Sequence, residues 1–117
     1  MQKIWLSNPE PHDFPAATDY LELLFPLNKA KQLTTQLKSV KTISKKAKDI
    51  LRAAQLPLLP ADNIHVKENI KKVKKGGKLS PILMVRGNEK LIIADGYHRL
   101  CAIYYLSEDL EIPCRLV

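Results

Sequence analysis

The stretch 90-KLIIADGYHRLCAIYYL-106, Lys90 to Leu106, decides how the rest of the chain is read. Leu91, Ile92, Ile93 and Ala94 form an apolar run rich in β-branched residues, the composition of a buried strand. Asp95-Gly96 is a turn signal, because glycine reaches positive φ without a steric penalty. Leu100, Ile103 and Tyr104 then recur at helical spacing, with Ala102 and Leu106 filling out the apolar face. Strand, one-glycine turn and helix in that order point the free N–H groups of the helix start beyond the strand end, where they favour an anion. Asp95, His98 and Arg99 gather at this point. A buried strand needs none of them for its own stability, so the turn is the leading candidate site.

Upstream, Leu79–Val85 (LSPILMV) reads as a second buried strand, joined to Lys90–Ala94 by a hairpin turn at Gly87-Asn88. Downstream, after a Ser-Glu-Asp loop, Ile112–Val117 reads as a further strand, with Pro113 placing its start there or marking a sheet edge. Gly76-Gly77 stops a helix patterned by Ile64, Val66, Ile70 and Val73, for which Asp62 is the expected cap. The proline-punctuated LPLLPAD before it is a loop. Ala47, Ile50, Leu51 and Ala54 share a helical face, with Ser44 as N-cap unless Val40–Lys46 is a strand that feeds the helix. Earlier still, Lys29–Val40 predicts a helix with Leu33, Leu37 and Val40 on one stripe. AATDYLELLF predicts another, with Ala17, Leu21, Leu24 and Phe25 inward, starting at Pro15 behind a Phe14 or Asp13 cap and ended by Pro26. Lys3–Ser7 predicts a short strand packed through Trp5.

The fold class is therefore α+β. A chain of 117 residues is expected to form one domain, 1–117. Residues 1–40 form a strand plus a helical extension that covers the sheet, closes over the site or forms a homo-oligomer face. The net charge is +7, carried mainly by lysines such as Lys45, Lys46, Lys48, Lys71, Lys72, Lys74, Lys75 and Lys78. That surface suits phosphates on nucleotides or nucleic acid, or serves solubility alone. Without interleaved arginine or aromatics it lacks the groups that read and stack bases. No apolar run approaches a membrane span, and the first residues contain no signal-peptide core, so a cytoplasmic, reduced setting is expected, with Cys101 and Cys114 as free thiols. His12, His65 and His98 show no ligand spacing, so no structural metal is expected.

The run LSPILMVRGNEKLIIADGYHRLCAIYYLSEDLEIPCRLV resembles the core of the ParB/sulfiredoxin superfamily, and the likeness extends weakly back to about Ala47. It is also similar to small bacterial ParB-like proteins carrying LSP-apolar-VRG and LIIADGYHR. The resemblance implies a small mixed sheet flanked by helices over residues 45–117. Sulfiredoxins carry a nucleophilic cysteine where this chain has Tyr97, so sulfiredoxin chemistry is not expected. Free-serine kinases of that fold carry Asp-Gly-His-His-Arg, which Asp95 to Arg99 match at four of five positions. That likeness implies nucleotide phosphates at Gly96, Tyr97, His98 and Arg99, with Mg²⁺ arriving on the nucleotide. Asp95 and His98 are the candidates for catalysis in a phosphotransferase or hydrolase. The glutamate those kinases use has no counterpart in RAAQLPLLPAD, where Asp62 is the one acid. The expected ligand is a nucleotide or a phosphorylated small molecule. The alternative is a non-catalytic basic module that binds nucleic acid or a protein partner.

Overall fold

The computed structural model describes residues 4–117. Five helices and four strands follow one another: α1 (Asp13–Leu21), α2 (Leu27–Ser39), β1 (Ile43–Lys46), α3 (Ala47–Ala54), α4 (Ile64–Lys74), β2 (Ile82–Arg86), β3 (Leu91–Asp95), α5 (Tyr97–Leu106) and β4 (Glu111–Leu116). The strands form one sheet in the order β1-β4-β2-β3. β4 is antiparallel to β1 and parallel to β2, and β3 returns antiparallel on β2, so the sheet is mixed. Among the described residues no helix is long and apolar enough to cross a membrane.

The unbroken apolar run of β2 has a simple cause: both faces of the strand are covered. Side chains alternate across a strand, and Ile82 and Met84 pack with Ile50 of α3, Leu100 and Ile103 of α5, and Ile112 of β4. Leu83 and Val85 point the other way, against Ala17 and Leu21 of α1 and Ala30, Leu33 and Leu37 of α2. Helices α1 and α2 thus supply the layer that covers the second face of the sheet. Fully burying a Leu or Val is worth about 1.5–3 kcal/mol, so that layer stabilises the strand leading to the candidate turn. The Thr18 and Thr34 hydroxyls, 2.7 Å apart, join α1 to α2. Arg115 of β4 donates to the carbonyls of Leu37 and Lys38 at the end of α2, a favourable place for a cation.

Several local expectations need correction. α1 begins at Asp13, not Pro15, and ends at Leu21. Pro15 still lies in the first turn, where its missing N–H costs nothing. The chain unwinds after Leu21, and Leu24 is left exposed. Neither Phe14 nor Asp13 caps the helix: His12 occupies that position without a side-chain bond. Ser44 lies within β1, so the strand alternative holds, over Ile43–Lys46. Asn63 rather than Asp62 caps α4, its Oδ1 accepting from the His65 and Val66 N–H groups, and Ile64 faces outward. Leu79 is not part of β2; it makes a single parallel bridge to Trp5, which is all that the expected strand around Trp5 amounts to. Lys3 lies outside the described residues.

β4 is an interior strand, so of the two places that suited Pro113, the strand's start or a sheet edge, the edge does not hold and the proline lies near the start. Its pairing with β2 begins only at Cys114, whereas Pro113 pairs with Ser44 of β1. The proline therefore stands where β4 has a neighbour on one side only, and the sheet tolerates its missing donor there.

Candidate functional site

The turn is built by the end of β3. Pairing along β2 and β3 slips between Leu83 and Met84, so that Leu83 is opposite Asp95 and Met84 opposite Ile93. Such irregularities re-aim the side chains that follow. Gly96 comes next with φ +119°, a conformation that L side chains rarely adopt. A Cβ there would come within 2.8 Å of Ile82 Cγ1 and 3.0 Å of Arg99 Nη2. Glycine thus serves both the backbone and the close approach to β2. Gly96 is the N-cap of α5, and no side chain among the described residues caps this helix. The first-turn N–H groups at Tyr97, His98 and Arg99 are left without the partner that Asn63 supplies to α4.

Arg99 turns back rather than outward. Its Nη2 donates to Asp95 Oδ2 at 3.0 Å and to the Pro81 carbonyl at 3.2 Å, and its side chain is 16% exposed. Its Nε is buried without a partner among the described residues. A cation at a helix N-terminus opposes the helix dipole, and Asp95 four residues earlier offsets that cost. Asp95 therefore pairs with Arg99 and does not orient His98. Burial pushes the Asp95 carboxyl up, Arg99 pulls it down, and the neighbouring carboxyl of Asp13 pushes it up again.

Asp13 is a carboxyl that sequence reasoning treated only as a helix cap. α1 carries it to the turn, where it is 2% exposed and accepts from the Glu10 N–H at 2.8 Å. His12 Nε2 lies 3.6 Å from its other oxygen. Nothing in the local sequence signals this position, because the contact joins the first helix to the third strand.

Tyr97 and Tyr105 hold the loop before α4. Their hydroxyls donate to the carbonyls of Pro57 and Leu59 respectively. Val66 of α4 packs against Cys101 and Ala102 of α5 and against Tyr97. Burial pushes the Cys101 thiol up, away from the thiolate that a nucleophile requires.

This packing brings the starts of α4 and α5 together. His65 and His98 each occupy the second position of their helix, and their rings meet edge-on with centroids 4.9 Å apart. The spacing of the histidines along the chain did not anticipate this contact; their equivalent helix positions were the available clue. Burial lowers the pKa of His98, and His65 and Arg99 lower it further, which favours its neutral imidazole. Asp62, just before the α4 cap, is exposed. Ser80 is buried, while Lys78 and Arg86 are exposed.

A cavity of about 620 Å³ lies towards the other end of α5, lined by Lys48, Arg52, Leu56, Tyr104 and Glu108 among others. Its cations are already paired, Lys48 with Asp109 at 2.8 Å and Arg52 with Asp49 at 3.4 Å.

No family model, curated protein or solved structure matches the chain.

Proposed function

We propose that this chain is a ParB/sulfiredoxin-like domain that binds the phosphate of a nucleotide or of a phosphorylated small molecule at the start of α5. One observation carries the reading: α5 starts at the sheet end with no side-chain cap, so its first-turn N–H groups are free for an anion. His98 stands beside them and can donate a hydrogen bond to phosphate. Arg99 supplies positive potential from below, reduced by its bond to Asp95. Asp95 is engaged by Arg99 and adjoins Asp13, so the turn offers no free carboxylate to Mg²⁺. An ion arriving with a nucleotide would be held by phosphate oxygens and water. Neither acid is free to act as a general base, since Asp13 is 2% exposed and Asp95 is bound. The reading therefore stops at binding.

The test is a thermal-shift titration with nucleoside triphosphates, with and without Mg²⁺, and with inorganic phosphate. A ligand at 100 times its Kd stabilises by about 2.7 kcal/mol. His98→Asp puts a carboxylate in the first turn, which suits the helix but repels phosphate, and should abolish the shift while the protein stays folded. A shift that survives in His98→Asp, or no shift with any phosphate compound, refutes the proposal.

A second reading rests on α4 and the residues after it, where Lys67, Lys71, Lys72, Lys74, Lys75 and Lys78 are all exposed. A basic module of this kind would bind nucleic acid with affinity that falls steeply with salt and is indifferent to His98→Asp.

A further inference from the structure

The histidine contact between α4 and α5 has a geometry that suits more than ring packing. Zinc–imidazole bonds are about 2.0–2.1 Å long, which puts each ring centre about 3.2 Å from the ion, so two ligands at 90–109° have centroids about 4.5–5.2 Å apart. The observed separation of His65 and His98 is 4.9 Å. The two residues come from different helices whose mutual position is fixed by Val66, Cys101 and Ala102, all fully buried. That packing holds the two rings close enough for one ion to reach both once their nitrogens turn towards it.

Glu68 adds a third part. Its Oε1 lies 3.7 Å from His65 Nδ1, one helical turn along α4. A carboxylate beside one ring nitrogen is the usual companion of a metal-binding histidine; at 3.7 Å Glu68 stands beside Nδ1 without a hydrogen bond, and a small side-chain movement would make it the partner that leaves Nε2 for the ion. Among the described residues no three His, Cys, Asp or Glu side chains form a metal-holding set. The protein therefore contributes two ligands, and water or an anion takes the remaining positions, as in an open site rather than a structural one.

We infer that His65 and His98 form a two-histidine site for a divalent borderline-soft ion, Zn²⁺ in class, with Glu68 as the partner of His65. Neutral imidazoles suit such an ion, whereas Mg²⁺ and Ca²⁺ prefer oxygen donors. The site shares His98 with the phosphate reading, whereas His65 and Glu68 belong to the ion site alone, so His65 is the residue that tells the two apart.

Calorimetric titration of the full chain with Zn²⁺ alone, at pH 7.5 in a non-chelating buffer, tests the inference. One ion per chain is expected. His65→Ala and His98→Ala should each weaken binding at least tenfold, and Glu68→Gln about tenfold. His12→Ala should change nothing, because His12 lies on the other side of the turn beside Glu10 and Asp13. Both rings are at the protein surface or partly so, and circular dichroism verifies that the variants fold. Absence of binding at 100 µM Zn²⁺ overturns the inference, as does binding that survives either alanine variant or is lost in His12→Ala. His65→Ala also separates the two proposals: it should remove zinc and leave any phosphate-induced shift intact.

Discussion

Gly96→Ala is the sharpest probe of the turn. Residue 96 sits at φ +119°, and a Cβ there would be 2.8 Å from Ile82 Cγ1, 3.2 Å from Ile82 Cγ2 and 3.0 Å from Arg99 Nη2. Ile82 is fully buried in the sheet and cannot swing aside, and Arg99 is held by Asp95 and the Pro81 carbonyl. The backbone conformation costs about 1–3 kcal/mol for a non-glycine residue, and overpacking adds about 1–3 kcal/mol. The lost freedom of the unfolded chain returns about 0.4–1 kcal/mol. The net loss is about 1–5.6 kcal/mol by this sum. At about 2.1 cal/mol/K per residue of unfolding entropy, that lowers Tm by about 4–23 °C. Gly76→Ala is the internal comparison: it too has positive φ, +86°, but no atom within 4 Å of a new Cβ. It isolates the conformational cost, about 1 kcal/mol after the unfolded-state gain. Urea unfolding of both variants measures the difference. If Gly96→Ala falls within 0.5 kcal/mol, roughly experimental error, of Gly76→Ala, the close approach to β2 is refuted.

Two further outcomes follow from local chemistry. Asn63→Ala should destabilise by about 1 kcal/mol through loss of the α4 cap, while Asp62→Ala stays within about 0.5 kcal/mol; denaturant midpoints with equal slopes decide it. Burial pushes the Cys114 thiol up to about 11 from 9.0. A raised folded pKa means that the stability is intact below the unfolded value and is lost as pH rises through the folded one. The folded protein should therefore weaken between about pH 9 and 11, and Cys114→Ala should flatten that part of the profile. Rapid labelling of Cys114 by a thiol reagent under native conditions would contradict the burial.

The β2–β3–α5 unit was legible because its signals are local. A continuous apolar run, Asp-Gly and a helical stripe lie within one short stretch, and each agrees with the next. The cap of α4 was misread because Asp62 and Asn63 are adjacent and chemically equivalent as caps, and only backbone geometry selects between them. Leu24 continued a helical stripe that the chain abandons after Leu21, where Glu22 to Phe25 tighten into turns ahead of Pro26. The arrangement of the candidate site was the least legible part. The Arg99–Asp95 pair follows from i,i+4 spacing, but Asp13 and His65 reach the turn only through packing of α1 on β3 and of α4 on α5. Contacts of that range leave no periodicity to read.

The interior place of β4 sets the order in which this molecule can be assembled. β1 and the β2–β3 hairpin share no hydrogen bonds; each meets β4, with Ile43 and Ile82 both opposite Cys114. Until residues 111–116 are in place, the chain holds a strand and a hairpin as separate pieces, with β-edges open on both. Closing the sheet must span most of the chain at once, which raises contact order and slows folding. Refolding should thus be a late, concerted insertion rather than growth from one end. A chain stalled before Glu111 would expose the two edges that β4 otherwise fills, inviting pairing with other chains.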